Sequence, residues 1–224
     1  NSLLEASVDY RKAFKDHTIQ AIAGYSYNKG EYEENWSRNY LYDTDYFSYH
    51  NIGAGAALTQ GKAGMSSYKD ENKLIAFFGR VMYNYQERYL LSASVRYEGS
   101  SRFGANNKWG TFPAISAGWR INKEHCKEDI KWINDLKLRV CYGVSGNQEI
   151  GNYKSLQLLE KDRFFYYKEN WISTYKPASN PNPDLKWERK GELNIGLDFS
   201  VLEGRLGGTV DYYNRTTKDL LYWY

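Results

Sequence analysis

The amino-acid sequence predicts an all-β protein whose antiparallel strands form the wall of a transmembrane β-barrel. Apolar and polar residues alternate with period two in eight segments, helical periodicity is nearly absent, and short and long connections alternate along the chain. The 224 residues include 22 Tyr, 7 Trp and 9 Phe. Aromatic side chains favour strands and interfacial positions, so the composition supports the same fold class.

The first two predicted hairpins lie in the N-terminal half. LLEASVDYRKAF places apolar residues on one face and mostly polar residues on the other, and TIQAIAGYSYN follows after a short turn at Lys15 and Asp16. LIAFFGRVMYNY and YLLSASVRYEG alternate in the same way, with only residues 86–88 between them. Connections this short predict antiparallel pairing within each hairpin.

Two further hairpins are predicted in the C-terminal half. TFPAISAGWRIN alternates Ile115, Ala117 and Trp119 with small or polar residues, and DLKLRVCYGV follows after residues 123–134, which have room for a helical turn. ELNIGLDFS and RLGGTVDYYN are joined through residues 202–204. The sequence therefore predicts eight strands in four hairpins.

The connections alternate in length. Turns within hairpins are short, whereas residues 28–73 and 145–186 form long connections and residues 99–110 form an intermediate one. The long connections all fall at one end of the sheet, which is typical of outer-membrane barrels with short periplasmic turns and long outer loops. Spacing alone permits either a small complete eight-stranded barrel or a section of a larger wall.

Aromatic residues mark both ends of the apolar faces, and Ala, Val, Leu and Ile lie between them. Such sorting by height is expected at the two interfaces of a membrane, and a soluble sandwich gives no reason for it. We call the two sets the inner girdle, at the short turns, and the outer girdle, at the long loops. The predicted inner girdle is Tyr10, Tyr85, Tyr89 and Trp119, and the outer girdle is Tyr25, Tyr27, Tyr97, Tyr142 and Tyr212.

The opposite faces of the strands carry charged residues, as the interior of a large barrel does. If the apolar faces instead met in a core, these polar faces would be solvated. A soluble, aromatic-rich, carbohydrate-binding β-sandwich is therefore the alternative interpretation. The predicted lumen-lining residues are Arg80, Arg96, Glu98, Arg120, Lys137, Arg139 and Asp198.

Charge and motif patterns argue against several functions. The 30 basic residues are scattered among 27 acidic ones, so no nucleic-acid partner is predicted. Cys126 and Cys141 have no further ligand at metal-site spacing, which predicts two free thiols, no metal site and no cofactor. His17, His50 and His125 lie far apart without a nucleophile motif, so no catalytic residue is predicted.

The longest apolar run, LIAFF, is far too short for a membrane-spanning helix, and Asn1 is not followed by a secretory signal pattern. If the chain crosses a membrane, strands must do so. An enzyme acting on glycans would need two carboxylates facing each other across a cleft, and the spacing of acidic residues locates no such pair.

Three stretches carry a family resemblance. They are YLLSASVRYEGSSRFGANNKWGTFPAISAGWRINKE, WINDLKLRVCYGVSGNQEIGNY and NPDLKWERKGELNIGLDFSVLEGRLGGTVDYYNRTTKDLL. In order and spacing they closely resemble the barrel of SusC/RagA-type TonB-dependent outer-membrane importers of Bacteroidetes bacteria. The resemblance spans nearly the whole chain and is weakest in the two long connections.

The resemblance implies a much larger parent protein, with a plug domain, a TonB box and a barrel of 22 strands. Residues 1–224 would then be a partial barrel domain of about eight strands, without the plug and the barrel ends. The implied location is the outer membrane of a Gram-negative bacterium. The implied partners are outer-membrane lipid, a SusD-like surface lipoprotein, TonB, and an oligosaccharide or peptide ligand.

The long connections are rich in aromatic rings, which can stack on the apolar faces of sugars, while nearby polar groups bind hydroxyls. The same rings could instead pack the loops together or dock the lipoprotein. The glycines of residues 99–110 are expected to permit turns, and Arg102 to reach a ligand or another loop. The candidate substrate-binding residues are Trp36, Tyr40, Tyr42, Asp43, Tyr46, Arg102, Trp171 and Tyr175.

Overall fold

The computed structural model describes residues 1–124 and 132–222. Short 3₁₀ segments span Ser48–Ala54 and Ile121–Lys123. The strands are β1 (Ser2–Phe14), β2 (His17–Arg38), β3 (Gly64–Tyr85), β4 (Tyr89–Ser100), β5 (Trp109–Arg120), β6 (Ile133–Asn147), β7 (Leu159–Tyr167), β8 (Asn170–Pro177), β9 (Glu188–Val201) and β10 (Leu206–Lys218).

Eight strands form one antiparallel sheet in the order β1-β2-β3-β4-β5-β6-β9-β10, and β7 and β8 form a separate hairpin. The sheet contains all eight predicted strands, each paired with its neighbour in the predicted order, so the all-β antiparallel prediction is confirmed. In the described part of the chain β1 and β10 do not pair with each other. The sheet is therefore an open wall, and the complete eight-stranded barrel that spacing also permitted is not formed.

Tight turns set the register at the short-turn end. Between β3 and β4, Gln86 and Glu87 have φ angles of 51° and 54°, and the Arg88 N–H donates to the Tyr85 carbonyl at 2.8 Å. Two successive residues with positive φ give a type I′ turn, whose twist matches that of the paired strands. The turn holds Tyr85 opposite Tyr89, with the ring centroids 6.3 Å apart.

The apolar face of this sheet is exposed. Directly opposed residues share a face, so Ala93, Ile115 and Tyr142 lie in one row across β4, β5 and β6. Ile115 is 61% exposed and Val95 is 45% exposed, although both lie in the middle of their strands. These side chains are not covered by a second sheet, as a soluble sandwich requires, so that alternative is not favoured.

The outer-girdle residues run obliquely across the strands. Tyr25 and Tyr97 lie in one row through Phe77, whereas Tyr142 shares a row with Ala93, two rows nearer the short turns. Successive pairing across β9, β6 and β5 connects Tyr212 of β10 with Leu91 of β4. The row of Tyr212 therefore lies one row nearer the short turns than the row of Tyr142. In a barrel the strands tilt relative to the barrel axis, so a row of paired residues changes height from strand to strand. Such a tilt would bring these rings, which lie in different rows, to one height in the membrane.

Two inner-girdle rings share a polar partner. The Tyr89 hydroxyl donates to a Glu124 carboxylate oxygen at 2.7 Å, and the Trp119 indole N–H donates to the same oxygen at 3.2 Å. Each ring thus has an apolar body on the exposed face and a polar tip directed to the rim. This is the arrangement that amphipathic rings adopt at a membrane interface.

The loop prediction was wrong for parts of both long connections. β2 continues to Arg38 and β3 begins at Gly64, so that connection shrinks to residues 39–63, and the second long connection contains the β7–β8 hairpin. These extensions have no apolar face, because water can reach both of their faces. Their strands therefore lack the alternation that marks the membrane segments.

The connection between β5 and β6 is described only in part. Its first residues form the 3₁₀ segment Ile121–Lys123, and most of residues 123–134, where a helical turn is expected, lies outside the described residues. His125 and Cys126 lie outside the described residues, so the prediction of a free thiol at Cys126 does too. Cys141 is a free, partly buried thiol on β6.

A buried cluster lies where β5 and β6 separate. Their pairing ends at Ala114 and Gly143, although both strands continue beyond these residues. Phe112 packs there with Phe103 and Trp187, and the three side chains are 7%, 1% and 4% exposed. The cluster joins the β4–β5 connection, β5 and the start of β9 at the outer end of the wall.

Candidate lumen face and outer ligand site

The seven predicted lumen-lining residues lie on the face opposite the exposed apolar face, here called the polar face. The pairing of Arg120 with Lys137, and of Lys137 with Asp198, places three of them in one row. Arg80 pairs with Ser94 in another row of the same face. The period of two explains this placement, because each of these residues is next to an apolar-face residue.

Ion pairs order the polar face. Arg96 donates to both carboxylate oxygens of Glu98, at 3.1 and 2.8 Å. Arg139 binds Asp198 with two hydrogen bonds of 2.8 and 2.9 Å, and it also reaches Asp211 on β10 at 3.2 Å. Bidentate arginine–carboxylate pairs fix geometry as well as charge, so this face presents a preorganised polar surface.

An aromatic and acidic ladder continues this face beyond the outer girdle. On the extension of β2 and β3, the Tyr32 and Tyr68 rings pack with centroids 6.3 Å apart. The Tyr32 hydroxyl donates to Glu34 at 2.9 Å, and the Tyr68 hydroxyl donates to Asp70 at 3.0 Å. Each hydrogen bond raises the pKa of the tyrosine, because the carboxylate stabilises the protonated phenol.

Sequence reasoning missed this ladder. The residues Tyr32, Glu34 and Trp36 alternate with Glu31, Glu33 and Asn35, which is a period-two pattern with a ring-bearing face and a charged face. Because neither face is apolar, this pattern does not predict a membrane strand, and the sequence predicts a long connection over residues 28–73. The alternate spacing of Tyr32, Glu34 and Trp36 is nevertheless a signal for a strand.

The first group of ligand candidates lies at and after the end of β2. Trp36 belongs to β2 and its ring lies over Gly64, while the Tyr42 hydroxyl donates to the Ile52 carbonyl at 2.9 Å and so holds its own loop. Arg38 lies over the Tyr40 ring, 5.5 Å from its centroid. Asp43 and Tyr46 are exposed, Tyr46 by 84%, which leaves its ring free for contact.

The second group lies on the β7–β8 hairpin. Trp171 and Tyr175 are on β8 and are 69% and 65% exposed. Trp171 packs against Tyr166 of β7, with the centroids 5.1 Å apart. The structure therefore places the two candidate rings on one projecting strand, separate from the loop that carries Tyr46.

Arg102 reaches another loop of the same chain. Its guanidinium donates to the Asn152 side-chain oxygen at 3.0 Å and to the Gln148 carbonyl at 3.1 Å. Nearby, the Trp187 indole donates to the Lys108 carbonyl at 2.9 Å. The β4–β5 connection is thus tied to the β6–β7 and β8–β9 connections, and Arg102 has a positioning role in this structure.

No group of three or more His, Cys, Asp or Glu residues suited to a metal ion occurs within residues 1–124 and 132–222. In the same described residues no helix has the length and apolarity that a membrane crossing requires. The described side chains of the polar face and the ladder offer hydrogen bonding, ion pairing and aromatic stacking.

Comparison with known proteins relates this geometry to a family. The family model described as "TonB dependent receptor-like, beta-barrel" matches residues 3–224. The chain is 37% identical over 216 residues to TonB-dependent receptor P39 of Formosa agariphila, covering 96% of this chain and 20% of that protein. It is 40% identical over 160 residues to TonB-dependent receptor SusC of Bacteroides thetaiotaomicron, covering 70% and 16% of the two chains.

Solved structures agree with the sequence relatives. The RagAB peptide importer in its closed-closed state superposes with a TM-score of 0.84 at 27% identity, over 97% of this chain and 23% of the importer chain. The RagAB peptide transporter gives a TM-score of 0.81 at 28% identity. The chain spans about a fifth of the length of the curated relatives that it matches over nearly its whole length. The exposed apolar wall, the ion-paired polar face and these matches lead to one conclusion: the chain belongs to the TonB-dependent receptor β-barrel family, a family of outer-membrane β-barrels.

Proposed function

We propose that the chain forms part of the wall and outer surface of a TonB-dependent importer that carries oligosaccharides or peptides across the outer membrane. The observation that carries this proposal is the two-faced single sheet: Ile115 is 61% exposed at mid-strand, while the opposite face bears ordered ion pairs. Such a sheet matches a barrel wall between lipid and a polar lumen. SusC and the RagAB peptide importer, which it resembles, support nutrient uptake as the activity.

The ligand would meet the chain above the membrane. The ladder of Tyr32 and Tyr68 lies on the face that continues the lumen wall, and Trp36 extends it outward. We place the remaining candidates in two roles: Tyr46, Asp43, Trp171 and Tyr175 contact ligand, while Tyr40, Tyr42 and Arg102 hold their loops in position. Rings supply stacking area, and the carboxylates of Glu34 and Asp70 supply acceptors for hydroxyl or amide donors.

The partners proposed for the full-length protein are those of this receptor class: TonB, outer-membrane lipid and a SusD-like surface lipoprotein. The other exposed apolar side chains of the β7–β8 hairpin offer a surface for such a lipoprotein, since Phe164, Phe165 and Ile172 are all at least 48% exposed. No catalytic role is proposed, because the named relatives are receptors and importers.

Binding measurements on the full-length receptor, purified in detergent with its lipoprotein, test the function. Panels of oligosaccharides and of mixed peptides would be titrated against the receptor and against Tyr32→Ala and Trp36→Ala variants. Loss of one stacked ring is expected to weaken binding about fivefold, since such a contact contributes on the order of 1 kcal/mol. Asn35→Ala, on the opposite face of β2, is the matched control and should bind normally.

Two outcomes would count against this account. Failure of every oligosaccharide and peptide to bind the intact complex would contradict nutrient import. Unchanged binding in both ring variants would be consistent with nutrient import, but it would show that the ligand does not bind at the ladder.

A further inference from the structure

A groove of mixed polarity opens on the membrane-facing side of the wall, at the outer ends of β9 and β10. It has a volume of about 500 Å³ and is lined by the polar side chains of Arg189, Asn214, Thr216 and Lys218, by Tyr142 and Gly191, and by the apolar side chains of Val144 and Leu193. The register places Lys218 opposite Arg189, Thr216 opposite Gly191 and Asn214 opposite Leu193. These residues share the face of Val210 and Tyr212, so the groove belongs to the apolar face and not to the lumen.

The groove lies just beyond the outer girdle. Along β10 the outward residues are apolar as far as Tyr212 and then become Asn214, Thr216 and Lys218. Tyrosines mark the height at which hydrocarbon gives way to headgroups. The groove is therefore placed at the level of the sugars and phosphates of the outer leaflet.

Two cations face each other across this groove. Arg189 and Lys218 are directly opposed, and like charges in this position destabilise a strand pair. Within residues 1–124 and 132–222, the one side-chain hydrogen bond of Arg189 is a long one of 3.4 Å, donated to the Thr111 carbonyl. Asp219 borders the groove, but its carboxylate is bound to Lys186 at 2.8 Å. Among the described residues, no carboxylate forms an ion pair with Arg189 or Lys218.

A second pair of directly opposed cations in this protein has carboxylate partners. Lys29 and Lys73 also face each other just beyond the outer girdle, on β2 and β3. Glu31 and Glu71 neutralise them, with Lys29–Glu31 at 2.7 Å and Lys73–Glu71 at 3.1 Å. Among the described residues, Arg189 and Lys218 therefore lack the carboxylate partners that Lys29 and Lys73 have.

The shape of the groove depends on Gly191. A Cβ there would lie 3.3 Å from the Tyr142 hydroxyl, so glycine keeps the floor open beside that hydroxyl. Asn214 and Thr216 add an amide and a hydroxyl, which suit sugar hydroxyls, while a guanidinium and an ammonium suit a phosphate. We propose that this groove binds the phosphorylated sugar headgroup of an outer-leaflet glycolipid. The site goes beyond the proposed import function and does not depend on which nutrient is carried.

The test uses the full-length receptor extracted from outer membranes and carrying the double substitution Arg189→Gln/Lys218→Gln. Native mass spectrometry would count bound glycolipid, and purified bisphosphorylated lipid A would then be titrated into delipidated receptor. The variant should bind lipid A at least tenfold more weakly, because it loses the charge-assisted hydrogen bonds that both cations donate to phosphate. The same lipid stripped of its phosphates should bind the wild type as weakly as it binds the variant.

The matched control is Lys29→Gln/Lys73→Gln, which removes two cations at the same level that already have carboxylate partners. It should retain glycolipid. Equal retention of lipid A by the Arg189→Gln/Lys218→Gln receptor would overturn the site, as would equal loss in both double variants. Loss of the surface lipoprotein with full retention of lipid A would also overturn it, and would assign the two cations to that protein partner.

Discussion

Gly104 packs directly against the backbone of Pro183. A Cβ on Gly104 would overlap the Pro183 carbonyl oxygen, and the Gly104 N–H donates to the Leu185 carbonyl at 2.9 Å. The contact ties the β4–β5 connection to the segment that leads into β9. Together with the Phe103–Trp187 ring contact, it fixes the outer rim of the wall at the point where β5 and β6 separate.

We expect Gly104→Ala to loosen this rim. The added methyl group must push the two backbone segments apart, and overpacking of this kind costs roughly 1–3 kcal/mol. Limited proteolysis of the full-length receptor in vesicles should reveal new cleavage in residues 99–110. Gly53→Ala is the control, because a Cβ there has its nearest neighbour at 3.9 Å. Protease resistance equal to the wild type in the Gly104→Ala receptor would show that the contact is not needed.

Trp187→Ala should be strongly destabilising. The side chain is 4% exposed, packs on Phe112 with centroids 5.2 Å apart and bonds the Lys108 carbonyl. Truncation of a buried Trp typically costs 3–5 kcal/mol. The measurement is the thermal unfolding midpoint of the full-length barrel in detergent. Trp171→Ala, at a position that is 69% exposed, should leave the midpoint nearly unchanged. Equal midpoints in the two variants would contradict the buried cluster.

The outer part of the β2–β3 hairpin should loosen in acid. Hydrogen bonds and charge from Lys29 lower the pKa of Glu31, and those from Lys73 lower the pKa of Glu71. A lowered carboxyl pKa stabilises the folded state above the unfolded value of about 4.5, and the contribution is lost as pH falls through and below that value. Amide exchange in residues 29–38 and 64–73 should therefore accelerate below about pH 5 relative to the membrane segments.

Glu71→Gln provides the control for the acid effect. Glutamine does not titrate, so the protection factors of this hairpin, which correct for the intrinsic pH dependence of amide exchange, should become less dependent on pH and should already be lowered at pH 7. Both carboxylates are solvent-exposed, so the effect should be small and should weaken further at high salt. Protection factors that are independent of pH in the wild type would contradict a role for these ion pairs.

The membrane segments were predictable from sequence, and the reason is physical. Residues such as Val95 and Ile115 alternate with polar neighbours, which is the pattern of a barrel wall with one face toward lipid and the other toward a polar lumen. The turn residues also predicted the strand register. Gln86 and Glu87 lie in so short a connection between two alternating segments that only a tight hairpin can join them. All eight strands of the main sheet follow from these two signals.

The outer structure was less predictable, since its strands carry no apolar stripe. Tyr32 and Tyr68 meet only because β2 and β3 stay paired far above the membrane, and the β7–β8 hairpin is set by local pairing within a polar connection. Contacts such as Arg102 with Asn152, or Phe103 with Trp187, join residues distant in sequence. No local pattern specifies such partners, so the positioning role of Arg102 emerged only from the structure.

The central claim is that the face of Ile115 meets lipid and the face of Ser116 meets the lumen. The most direct measurement places a bimane label on Ile115→Cys or Ser116→Cys in a full-length receptor that also carries Cys126→Ser and Cys141→Ser, reconstituted with lipids brominated along the acyl chain. We expect strong quenching of the label at position 115 and little at position 116. Equal quenching at both positions, or quenching at 116 alone, would contradict the assignment of the apolar face to the membrane.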